Sequence, residues 1–136
     1  MTTVIIQPTG YGPIGIEVTR DAYHSQQRLE GDKRGIKLSI WPRKDGGWVA
    51  ELVYDTSWPT ERQFTRYFHA ADLDVLGAML RDAAKTVLPP GAGYPAMPQF
   101  ETRQAKLAGM LEVAVLTALS EVLSMAAELD ASGGAS

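Results

Sequence analysis

Three groups of residues have the types and spacing for chemistry. The first is GYGPIG, which sets Gly10, Gly12 and Gly15 in the G-x-G-x-x-G spacing of a dinucleotide loop, just after the apolar run Val4-Ile5-Ile6. Such a loop works because its last glycine opens a helix whose free N–H groups and dipole hold pyrophosphate. Here Pro13 removes one N–H, and the residues that follow, IGIEVT, alternate with the period of a strand. An acidic residue downstream, Glu30 or Asp32, falls in a polar, turn-prone stretch. The context that gives the motif its chemistry is missing. GYGPIG therefore reads as a glycine-rich turn joining two strands.

The second group is His69-Ala-Ala-Asp72-Leu-Asp74, whose residue types suit a metal or an acid–base pair. It sits where a strand gives way to a helix, and helix capping accounts for both carboxylates. No third ligand lies nearby in sequence, and the other histidine, His24, is far upstream. His24 and Ser25 with Asp21 have the residue types of a triad, but neighbours in sequence rarely form one, and no nucleophile elbow is present. We expect no catalytic residue, no metal, no cofactor and no enzyme activity.

The third group is aromatic and basic. Trp41, Trp48, Tyr54, Trp58, Phe64, Tyr67 and Phe68 lie between residues 41 and 68, interleaved with Arg43, Lys44, Arg62 and Arg66. Bases stack on exposed aromatic rings while basic side chains follow the phosphates, which makes single-stranded nucleic acid the alternative partner. Glu51, Asp55 and Glu61 dilute the positive charge, and aromatic residues in strands are more often core than platform. Arg43, Lys44, Trp58, Arg62 and Arg66 are the expected partner contacts. The edge of a hairpin over 36–54 and the Trp58-Pro59 loop are the expected recognition surfaces.

The elements that must position these residues follow from periodicity. Ile14, Ile16 and Val18 alternate with polar or small neighbours, as do Ile36, Leu38 and Ile40. Pro42 to Gly47 supplies turn chemistry, Trp48 to Tyr54 returns as a partner strand, and Phe64 to Phe68 forms another. Within Trp48–Tyr54, alternation places Trp48, Ala50, Leu52 and Tyr54 on one face and Val49, Glu51 and Val53 on the other. The polar segment 21–34 reads as a loop or a frayed helical turn. From Asp72 the period changes: Leu73, Leu76, Met79, Leu80, Ala83 and Val87 recur at helical spacing over 72–88. PPGAGYPAMP forms a stiff connector over 89–98.

A final helix is expected from about Gln99 to Leu129. Leu107, Leu111, Ala114, Ala118, Val122, Met125 and Leu129 make one apolar row, widened by Met110, Val113, Val115, Leu116, Leu119 and Leu123. So wide an apolar girth asks for cover on more than one side, and a second copy of the chain is the expected cover. Leu107, Leu111, Leu119, Val122 and Leu123 are its expected interface.

The chain is thus an expected single α+β domain over 1–136. Its β-rich part, 1–70, holds a small, mostly antiparallel sheet of about four or five strands, and its helical part spans 71–130. The 136 residues are 45% apolar, carry a net charge of −3 and contain no cysteine. That excludes disulfides and thiolate sites and provides no field to recruit nucleic acid or acidic membranes. The longest charge-free run of the last helix, Val113 to Ser120, is too short to span a bilayer, and MTTVIIQPTG is no signal peptide. The expected protein is cytoplasmic, non-catalytic and homo-oligomeric. It binds another protein, as an inhibitor or accessory factor of a larger machine such as those of phage or host defence would.

Overall fold

A computed structural model describes residues 2–29, 33–58, 61–87 and 100–133, with side chains of the last helix placed over 104–128. Strands β1 (Thr2–Ile6) and β2 (Ile14–Val18) form an antiparallel hairpin. Strands β3 (Tyr23–Leu29), β4 (Arg34–Pro42), β5 (Trp48–Thr56) and β6 (Phe64–Ala70) form an antiparallel sheet in that order. Helix α1 (Leu73–Ala83) runs into a short 3-10 turn, Ala84–Thr86, and α2 (Phe100–Gly133) follows. The fold is α+β, with the long helix at its C-terminal end. The expected connector 89–98 lies outside the described residues.

Local chemistry explains the turns. In the β1–β2 connection, Tyr11 N–H donates to Pro8 C=O at 3.0 Å and Gly10 takes φ of +86°, which a residue with Cβ adopts only with strain. The GYGPIG stretch is therefore a turn that opens a strand and not a helix. Between β4 and β5, Gly46 takes φ of +93°, and Asp45 Oδ1 accepts from Gly47 N–H at 2.9 Å. Asp72 caps α1 by accepting from Val75 N–H at 2.9 Å, as a carboxylate at a strand-to-helix junction should.

Alternation then sorts the sheet into two faces. Ile36, Leu38, Ile40, Ala50, Leu52, Tyr54 and Phe68 point one way and are buried. Helix α2 covers the β3–β4 half of that face, and α1 covers the β5–β6 half. Leu76, Leu80, Leu111 and Val122 are wholly inaccessible there. Each such side chain contributes about 1.5–3 kcal/mol by leaving water. On the other face, Val49 packs with Ile6, Ile16 and Val18 of the hairpin, flanked by Trp41 and Tyr67. The molecule is three layers deep: hairpin, sheet, helices.

Three expectations are corrected. Residues 23–29 are a strand and not a loop or helical turn, because Tyr23, Ser25 and Gln27 alternate inward beneath α2. Strands β4 and β5 are consequently the inner pair of the sheet, so the 36–54 hairpin has no free edge; the edges are β3 and β6. Finally, α2 is long and apolar enough over Gln104–Glu128, at mean hydropathy 1.6, to cross a membrane by length and composition. The charge-free run understated this because Glu112 and Glu121 interrupt it. Much of that apolar character is spent on the sheet.

The hairpin turn sets a sharp test. A Cβ on Gly47 would stand 2.9 Å from the backbone oxygen of Ala70, closer than real contacts come. Gly47→Ala should therefore destabilise the fold by about 1–3 kcal/mol in chemical denaturation. An unchanged midpoint would mean that β5 and β6 do not approach as described.

Candidate functional site

The residues able to do chemistry fall into separate groups. Register aligns His24, Ser39, Glu51 and Tyr67 in one row across the four strands, on the face turned away from the helices. No hydrogen bond links Ser39 to His24 or to Glu51. Burial pushes the Glu51 carboxyl above its ordinary range, with Lys37 pulling it back. His69 stacks against Tyr67 with centroids 5.7 Å apart, and Asp72 is occupied as the helix cap. Among the described residues, no three of His, Cys, Asp and Glu gather as a metal site would need.

The strongest polar cluster is one that local sequence reading did not find. Arg34, at the start of β4, and Glu61, in the β5–β6 loop, form a charge-assisted ion pair with side chains 4% and 1% exposed. Glu61 also accepts from Tyr54 Oη at 2.6 Å and Thr56 Oγ1 at 3.1 Å. Burial pushes the Glu61 carboxyl up, but donation from Arg34, Tyr54 and Thr56 outweighs it and holds the group below the usual carboxylate range. Burial, reinforced by Glu61, pushes the Tyr54 hydroxyl upward, so it remains a proton donor. The Trp58 ring closes the cluster, with Lys33 Nζ 4.8 Å and Arg34 Cζ 5.6 Å from its centroid. Arg34 Nε and Nη2, Tyr54 Oη and Thr56 Oγ1 all donate to Glu61. The cluster fastens the loop to the sheet.

Two further networks tie elements together. Glu121 of α2 accepts from Ser25 Oγ and, at 3.2 Å, from Gln27 Nε2, which pins the long helix to β3. On the opposite face, Arg28 reaches Asp55 at 2.8 Å, and Gln63 donates to the same carboxylate at 2.7 Å. Register places Gly35 between them, and a Cβ there would meet Arg28 Nη1 at 2.8 Å. The missing side chain of Gly35 lets the arginine cross β4.

The expected partner contacts are not brought together. Arg43 and Lys44 lie at the β4–β5 turn, facing Asp45 at 3.4 Å and Glu17 at 3.6 Å. Trp58 and Arg62 lie at the other end of the sheet, in the β5–β6 connection. Arg66 is on the helix side of β6, where Nη1 donates to Thr86 Oγ1 at 3.3 Å and Cζ sits 5.2 Å from the Phe68 centroid. The aromatic residues of 41–68 are mostly occupied: Tyr54 stacks on Phe64 at 5.3 Å, Trp48 leans on Tyr23 at 6.3 Å, and Trp41 and Tyr67 pack against the hairpin.

Of the residues expected at a helix interface, Leu107, Leu111, Leu119 and Val122 are buried in the chain's own core, and Leu123 is half-buried beside Gly77. Among the described residues, the large apolar side chains that the helices leave exposed are others: Val75 and Met79 on α1, and Val113, Leu116 and Met125 on α2, while Ile5 and Tyr11 are exposed on the hairpin. Leu116 and Leu123 line an open groove of about 410 Å³ with Arg81, Ser120 and Ser124. A second crevice, about 330 Å³, runs between the GYGPIG turn and Thr65, Arg66 and Tyr67 of β6. Compared with known protein families, with curated proteins and with solved structures, the chain shows no match.

Removing the buried carboxylate tests the cluster. Glu61→Gln should cost about 3 kcal/mol at neutral pH, because it breaks a buried, charge-assisted ion pair. A carboxyl held low in the fold stabilises it above the unfolded value, near 4.5, and that contribution fades as pH falls through the lower folded value. The gap between wild type and Glu61→Gln in denaturant unfolding should therefore narrow on acidification below that range. A gap that is constant with pH would contradict the ion pair.

Proposed function

We propose that this chain is a cytoplasmic, non-catalytic binding protein that works as a homo-oligomer and docks on another protein, as an inhibitor or accessory factor does. The observation that carries the reading is the outer face of the helical layer. After both helices have packed on the sheet, Val113 is still 64% exposed and Val75 48%, with Leu116 and Met79 each 37% exposed. Val113 and Leu116 are neighbours on one face of α2, and exposed apolar side chains of this kind mark contact with other macromolecules more often than catalysis. Arg81 and the small hydroxyls of Ser120 and Ser124 line the groove beside it and give a partner polar handles. The polar clusters support the same reading, since each one fastens strand to helix or loop to strand.

Charge on the outer helical face should separate binding from folding. Val113→Lys combined with Leu116→Lys should change stability by no more than about 0.5 kcal/mol per site, as surface substitutions do. The same double variant should lose the protein that co-purifies with wild type from the native host. Retention of that protein by the double variant would contradict a helical docking face. A strictly monomeric mass of 14.8 kDa in light scattering would contradict the homo-oligomer.

A further inference from the structure

We infer that a second copy of this chain joins at β3, strand to strand across a two-fold axis, to make one continuous eight-stranded sheet. The inference rests on the homo-oligomer reading and assigns its interface. The two edges of the sheet differ. At β6 the β1–β2 turn closes over the ladder: Thr9 N–H donates to Thr65 C=O, and Thr65 N–H donates to Thr9 Oγ1, each at 2.9 Å. At β3, among the described residues, no backbone hydrogen bond reaches the strand from any segment other than β4.

An open row of N–H and C=O groups is a template for another strand, and sheets usually blunt it with proline, lysine or a bulge. Tyr23–Leu29 has none of these. Its one permanent charge, Arg28, is drawn across the open face to Asp55. α2 packs on one face of β3 and, among the described residues, makes no backbone hydrogen bond to its ladder.

The strand is also complementary to itself. An antiparallel two-fold through Gln26 pairs Tyr23 with Leu29 of the copy, Ser25 with Gln27, and Gln26 with its own equivalent. The two apolar residues meet each other on the helix side, and the amides meet at the axis. The helices agree with this arrangement. α2 lies over β3 and β4, and strands pair about 4.8 Å apart, so the two copies of α2 come roughly 8–10 Å from each other. That is the spacing of packed helices. Thr117, one turn before Glu121 on that flank, is small enough for the approach, and Glu121 is already held by Ser25 and Gln27. A ladder alone is narrow against the roughly 1,200–2,000 Å² of a stable interface, and the helix flank widens it. The outer helical face stays free for the other partner.

Charge exchange at the axis provides the test. Gln26 is exposed and faces Lys37 on β4, so in the dilute chain Gln26→Glu should hold or slightly raise the melt and Gln26→Lys slightly lower it, both variants staying folded. By sedimentation, the full wild-type chain should be a dimer. Each variant alone should dissociate roughly tenfold more readily, because like charges face across the axis. An equimolar mixture of the two should return to wild-type affinity or better, and Leu116→Lys should leave the dimer unchanged. If both Gln26 variants dimerise as wild type does, or if each weakens and their mixture does not recover, the β3 interface is overturned. If Leu116→Lys dissociates the dimer and the Gln26 variants do not, β3 is likewise overturned while the homo-oligomer reading stands. A monomeric wild type overturns both.

Discussion

The structure depends on one constraint: strands β4 and β5 must be covered on both faces. Leu38, Leu52 and Tyr54 need the helices, and Val49 needs the hairpin. Apolar side chains on both sides of a four-stranded sheet must be buried against other layers, here the helices and the hairpin. That requirement consumes most of the aromatic residues. Among the described residues, covering the sheet leaves exposed the outer side chains of the helices, Ile5 and Tyr11 of the hairpin, and the outer ladder of β3.

Polar networks then fix how the layers sit. Burial by itself is non-directional and would let α2 slide or the β5–β6 loop drift. Glu121 with Ser25 and Gln27 sets the helix against β3, and Arg34 with Glu61 sets the loop against the end of the sheet. Each joins residues far apart in the chain, and the Arg34–Glu61 pair is buried, so breaking it is costly. Among the described residues, β3 is the edge whose ladder pairs only with β4. Glu61, Glu121, Asp55 and Asp72 hold elements together.

Much of this was legible in the sequence because it depends on local period. Ile36-Lys37-Leu38-Ser39-Ile40 has the alternation of a strand, and Leu76 and Leu80 have the spacing of a helix, whatever surrounds them. The strand at 23–29 was not legible. Tyr23-His24-Ser25-Gln26-Gln27-Arg28-Leu29 buries its inward side with a phenol, a hydroxyl and an amide, so its alternation is hidden from a scale of apolarity. Missing it moved the sheet edge to the wrong strands. The Arg34–Glu61 pair was invisible for another reason: its partners are 27 residues apart and meet only through the register of β4 with β5. That α2 is apolar around most of its girth is legible in the sequence. Which side faces inward needed the structure, and Leu107 and Leu111 proved to be core while Val113 and Leu116 stayed outside.

Hydrogen exchange followed by mass spectrometry, run across roughly a hundredfold dilution, tests the account most directly. Amides of β4 and β5, covered on both faces, should exchange slowest at every concentration. Those of β3 that point away from β4 should be slow in concentrated solution and fast when dilute. β3 amides that exchange at one rate throughout, fast or slow, would contradict an edge that is open in the single chain and closed in the assembly.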